Sequence, residues 1–126
     1  MIRKTIYSFA ALIVALSFAA IITAQDKSVS LTGYVVDKAC SAGAAKKADP
    51  MAAAAGHSKK CALMEPCIKS GYGVFSDGKF YEFDAKGNEL AKGLLDSTSK
   101  DKGIKVKVEG KVSGSQIAVA SISETD

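Results

Sequence analysis

Cys40, His57, Cys61 and Cys67 are all the cysteines and the only histidine of the chain, and they fall within 28 residues. Three thiols and one imidazole make up a four-ligand tetrahedral set for a metal ion. Sulfur donors suit zinc or monovalent copper. His57 and Cys61 are four residues apart, so on a helix they share one face. Cys67 comes round after Pro66, and Cys40 arrives from the end of a strand. Met51 and Met64 offer thioethers to copper, or plain packing.

The same thiols support two other chemistries. In an oxidising compartment cysteines pair, and Cys40 joined to Cys61 or Cys67 closes a loop of about 20–27 residues, worth around 3 kcal/mol. Three is odd, so the last thiol stays free, binds something or links two chains as a covalent dimer. Alternatively, His57 favours the thiolate of a nearby cysteine, and Cys61 or Cys67 reacts as a redox thiol. No group that would orient the imidazole is evident in the sequence. Haem attachment is excluded, because no Cys-x-x-Cys-His string exists.

Other candidates are ordinary surface and core. Glu82 and Asp84 lie two apart on a strand and share a face, which is the usual home of exposed carboxylates. Tyr72, Phe75, Phe80, Tyr81 and Phe83 gather in one stretch. Strand alternation puts Phe80 on one face and Tyr81 with Phe83 on the other, so at least part of this group is core. There is no phosphate loop, metalloprotease string or nucleophile elbow. A non-enzymatic protein is therefore expected.

The elements that position the cluster follow from composition. The chain has 126 residues, 48% hydrophobic and 24% charged, which fits one small domain and excludes a disordered tail. Residues 1–24 have the layout of a secretory signal peptide: Arg3 and Lys4, an apolar run, then Ile22-Thr23-Ala24. The apolar block is short and rich in alanine, so cleavage is expected and no stable membrane anchor remains. The mature chain, residues 25–126, is then periplasmic or extracellular. It keeps 15 basic against 13 acidic residues, and no arginine follows Arg3. Arginine is the preferred fork for phosphates and base edges, so no nucleic-acid partner is expected.

The first strand is Ser28–Lys38, where Val29, Leu31, Gly33 and Val35 alternate with Ser30, Thr32 and Tyr34. Gly33 predicts a bulge or bend. Ala39–Lys60 carries nine alanines and only Met51 as a large apolar side chain. Within it, Asp49 caps a short helix that Pro50 starts and Gly56 ends. A second helix runs from Ser58 toward Ile68, kinked or split at Pro66. Asp77-Gly78 joins Val74–Ser76 to Lys79–Phe83 as a hairpin. A turn over Asp84–Asn88 leads to a short helix over Glu89–Leu95, with Leu90, Leu94 and Leu95 on one side. Ile104–Val112 alternates cleanly, turns at Ser113-Gly114-Ser115 and returns as Gln116–Ile122, and Glu124 to Asp126 frays.

Five strands in about 100 residues pack best as a closed or partly open barrel. The fold expected is mainly β, a small five-stranded OB-like barrel, with residues 39–71 as a helical insertion that carries the cysteines and the histidine.

Three stretches carry a resemblance: Gly33-Tyr34-Val35-Val36-Asp37-Lys38-Ala39-Cys40; His57 with Cys61-Ala62 and Cys67-Ile68-Lys69-Ser70-Gly71; and Gly103 to Gly110 with the closing Ile117–Ile122 strand. Together they resemble a group of small exported bacterial proteins of unknown function. The later two cysteines usually sit closer together in that group than the five-residue gap here. The resemblance implies a β-rich exported domain with the Cys/His set as its signature, and no known activity. The segment from Phe80 to Ile122 also resembles exported OB-fold proteins. The expected function is a soft-metal or disulfide site in an envelope protein. The alternatives are a thiol redox protein, or a disulfide-stapled module that binds a protein partner through the barrel face.

Overall fold

The computed structural model describes residues 27–126. The expected signal peptide lies outside them. Strand β1 (Lys27–Asp37) is followed by four short helices: α1 (Lys38–Ala45), α2 (Pro50–Ala55), α3 (Lys59–Ala62) and α4 (Glu65–Ser70). Then come β2 (Tyr72–Ser76), β3 (Lys79–Phe83), α5 (Ala85–Ser97), β4 (Lys105–Ser113) and β5 (Gln116–Glu124). Strand takes about 40% and helix 37% of this, so the sheet has its five expected strands and the helices exceed expectation. Among the described residues no helix is long and apolar enough to cross a membrane.

The two hairpins form where the turn residues demand. Asp77 and Gly78 both adopt positive φ, 49° and 79°, which is what a two-residue hairpin turn requires. The remaining pairings could not be read locally. β1 runs antiparallel to β4 over Lys27–Tyr34 and to β2 over Tyr34–Asp37. β3 meets β5 in parallel at Glu82–Gln116 and Phe83–Ile117. The order β1-β2-β3-β5-β4 thus returns to its start and closes the sheet on itself.

Gly33 sits where β1 passes from one neighbour to the other. A Cβ there would run into the Phe75 carbonyl, so the close approach of β2 needs glycine. The sheet's bulge falls elsewhere, between Glu109 and Gly110 of β4.

Two cores form on opposite faces. Inside the closed sheet, Val35, Val74, Val106, Val108 and Ile117 pack with Phe83 and with Ala91 and Leu95 of α5. Outside it, Val36 and Phe75 pack under the helices, against Ala54, Ala44 and Met51. Both faces of the last part of β1 are therefore covered, and strict alternation gives way to the buried run Val35-Val36-Asp37. The alanines of the helical segment have a packing role: small side chains let α1 and α2 lie close on the sheet.

Helix boundaries depart from expectation at their caps. α1 was not expected; Asp37 starts it, its side chain accepting the Cys40 N–H. The helix expected over Ser58–Ile68 splits into α3 and α4, with Pro66 in the first turn of α4, where its missing N–H costs nothing. α5 begins at Ala85, not Glu89, because Asp84 caps it by accepting the Gly87 N–H. Leu90 faces solvent, and Gly87 and Ala91 take the buried side with Leu95. The C-terminus does not fray: Glu124 pairs with Val106, and the Thr125 N–H donates to the Lys105 carbonyl.

Gly33→Ala should lower stability by about 1–3 kcal/mol, since backbone and not a movable side chain blocks the new methyl. Gly43→Ala, in open space within α1, should be neutral or stabilising by up to about 1 kcal/mol. Urea midpoints at constant m-value distinguish the two.

Candidate metal centre

Each cysteine is the third residue of a short helix. Cys40 follows the cap Asp37 in α1, Cys61 follows the cap Ser58 in α3, and Cys67 follows Met64 in α4. The first two caps are bonded to the cysteine backbone itself: Cys40 N–H donates to Asp37 Oδ2 and Cys61 N–H to Ser58 Oγ, both at 3.0 Å. The cap fixes where the first turn points, and with it the thiol.

Hydrogen bonds bring the three turns together. The Lys38 N–H donates to the Gly71 carbonyl and the Ala39 N–H to Ser70 Oγ, which ties the start of α1 to the end of α4. α3 is held from below by the Tyr72 hydroxyl, which donates to the Ala62 carbonyl at 2.6 Å. From the side, the Lys59 N–H donates to the Asp101 carbonyl and the Gly103 N–H to the His57 carbonyl. As a result the sulfurs of Cys40, Cys61 and Cys67 lie within 4.8 Å of one another. All three cysteines are free, so the disulfide expected from Cys40 to Cys61 or Cys67 is not formed. Cys67 is buried, and Cys40 and Cys61 are half-buried.

His57 is placed differently from expectation. It precedes the cap of α3, so it shares no helical face with Cys61. Its Nε2 meets Asp37 Oδ1 at 2.7 Å, with the His57 side chain 12% and the Asp37 side chain 0% exposed. A second donor group is thereby formed by Asp37, Cys40 and His57, which shares Cys40 with the sulfur cluster. Asp37 is the residue that sequence reasoning missed. The signal was present as a cap three residues before a cysteine, a spacing that Ser58 and Cys61 repeat.

The other candidates have structural work. Glu82 pairs with Lys38 at 2.9 Å, and Asp84 caps α5. Met51 packs under the sheet and accepts the Gly78 N–H on its sulfur; Met64 is exposed. Tyr72, Phe75 and Phe83 are buried, and the Lys79 ammonium lies over the Tyr81 ring.

The surroundings favour the protonated form of Cys40 and Cys67. Burial first, then the Asp37 carboxylate and the neighbouring Cys61, push the Cys40 thiol up to about 12. The same causes raise Cys67 above the ordinary thiol value. Burial, with Asp37 behind it, also pushes the Tyr72 phenol up to about 12.

Two outcomes follow for the metal-free protein. Thiols raised by the fold contribute stability that is complete below the ordinary value of 9.0 and is lost as pH rises through about 12 for Cys40. Between about pH 8 and pH 10.5 the unfolding midpoint of the wild type should therefore fall more steeply than that of Cys40→Ser. Asp37→Ala loses the α1 cap, about 1 kcal/mol, and leaves the His57 ring unpaired, about 1–3 kcal/mol more. Asp37→Asn keeps an acceptor for the Cys40 N–H and should lose less, as denaturant titration of both variants will read.

No protein-family model, curated protein or solved structure matches this chain, so the functional reading stands on the geometry of its Cys/His/Asp group.

Proposed function

We propose that this is an exported, non-enzymatic envelope protein that holds one soft metal ion, zinc or monovalent copper. Cys40, Cys61 and Cys67 are its sulfur ligands, and the Asp37–His57 pair stands beside them. One observation carries this reading: three sulfurs from three separate helices converge within 4.8 Å and remain unbonded. Sulfurs ringed round one ion at about 2.3 Å stand about 4 Å apart, a separation this cluster reaches with small movements. The closed sheet is read as an OB-like barrel that serves as the frame. Export rests on the charged start and apolar run of the first 24 residues.

A pair of His57 and a buried carboxylate next to a thiol is also the arrangement of an activated nucleophile. The electrostatics favour the metal reading. Burial, with Asp37 behind it, raises Cys40 and Cys67, whereas a free thiol that attacks unaided needs the opposite shift. A metal ion replaces the thiol protons outright and supplies positive charge beside the Asp37 carboxylate. The bond from His57 to Asp37 holds the imidazole beside Cys40, at the edge of the sulfur cluster.

The test is native mass spectrometry of reduced protein titrated with zinc and, separately, with monovalent copper. One ion per chain is expected. Cys40→Ser, Cys61→Ser and Cys67→Ser should each weaken it by at least about a hundredfold, and affinity should rise about tenfold per pH unit for each proton displaced. Retention of the ion by any two of the three serine variants would sink the three-sulfur site.

A further inference from the structure

The cluster holds three sulfurs, and a disulfide uses two. Any pair that closes leaves a single thiol, which is too few for the site described above. The question is which pair closes first, and the placement of the cysteines answers it. Cys67 is buried in α4, out of reach of an external reagent. Cys40 and Cys61 are both half-buried. Cys61 lies in α3, the shortest of the helices. Its sulfur lies within 4.8 Å of both other sulfurs.

The sulfurs start close together. The sulfurs are within 4.8 Å, and a disulfide needs about 2.05 Å. Turning one cysteine from one staggered rotamer to the next moves its sulfur by about 3 Å, which covers the gap.

We propose that the site is gated by oxidation: a disulfide between Cys40 and Cys61 forms by exchange with an external disulfide and discharges the bound metal. This rests on the metal reading above. In the exchange, the Cys61 sulfur attacks a small disulfide RSSR, forming a mixed disulfide and releasing one RSH. The Cys40 sulfur, already a thiolate because the metal took the place of its proton, then attacks the Cys61 sulfur and releases the second RSH. Two metal-bound thiolates of the protein lose two electrons to RSSR, and the two RS⁻ released take their protons from water, because the metal displaced the cysteine protons when it bound. The metal leaves because only Cys67 remains. Reduction by an external dithiol reverses each step and restores the site.

The experiment uses reduced protein loaded with zinc and treated with oxidised glutathione. Zinc release is followed with a chromophoric chelator, and the protein by intact mass and peptide mapping. The expected result is one zinc released per disulfide formed, a chain lighter by two hydrogens, and a peptide linking Cys40 to Cys61. Cys67→Ser should still form that link, and Cys61→Ser should form no internal link to Cys40. Zinc held by a chain that already carries the disulfide overturns the gating and leaves the metal reading intact. Zinc released with only glutathione adducts, and no internal bond, overturns it as well. A reduced protein that takes up no zinc or copper overturns both readings. The mass of the oxidised chain separates these cases.

Discussion

A carboxylate with none of its side chain exposed is the constraint on which this molecule turns. Taking the charge of Asp37 out of water costs several kcal/mol unless bonds replace the lost hydration. Both oxygens are supplied: one by the Cys40 backbone, the other by the His57 ring. The first bond starts α1, and the second draws the chain after α2 back to the end of β1. Across the sheet Asp37 pairs with Tyr72, whose hydroxyl holds the end of α3. One buried residue thus joins the sheet, three helices and the sulfur cluster. Its negative charge adds to burial in raising the Cys40 and Cys67 thiols.

The helical segment has little apolar bulk, and it needs little. Ala54 is almost wholly covered, and Ala44 packs near it over Val36 and Phe75. Small residues contribute modest burial but allow close backbone approach. The rest of the tether is polar: caps, the bonds between α1 and α4, and the strap from His57 and Lys59 to residues 101–103. The cluster is therefore held by directional bonds, which fix side-chain direction better than greasy packing does.

Local chemistry was legible and long-range chemistry was not. Asp49-Pro50 and Gly56 bounded α2 from sequence, and Asp77-Gly78 located the first hairpin, because each depends only on neighbours in the chain. α1 escaped notice because an alanine run with a glycine has no apolar period. It forms because Asp37 caps it and the sheet supports it. Ser58 and Pro66 were readable as cap and breaker, and the split of α3 from α4 follows from them. The four site residues were legible as a set, but not their grouping. The bond from His57 to Asp37 spans twenty residues, and no periodicity reports it. The parallel meeting of β3 with β5 is likewise set by closure of the sheet, not by either strand's own pattern.

The pairing of β1 with β4 joins residues more than seventy positions apart. Closing so long a loop is entropically slow to reward, and folds dominated by such pairs assemble late. β1 gains its longest ladder only when the far end of the chain is in place. The end of β1 that carries Asp37 pairs instead with β2, so the two halves of the strand wait on different parts of the chain. The turn that carries Cys61 is also strapped to residues 101–103, just ahead of β4, so that short stretch of chain joins the cysteine-bearing helices to the C-terminal hairpin.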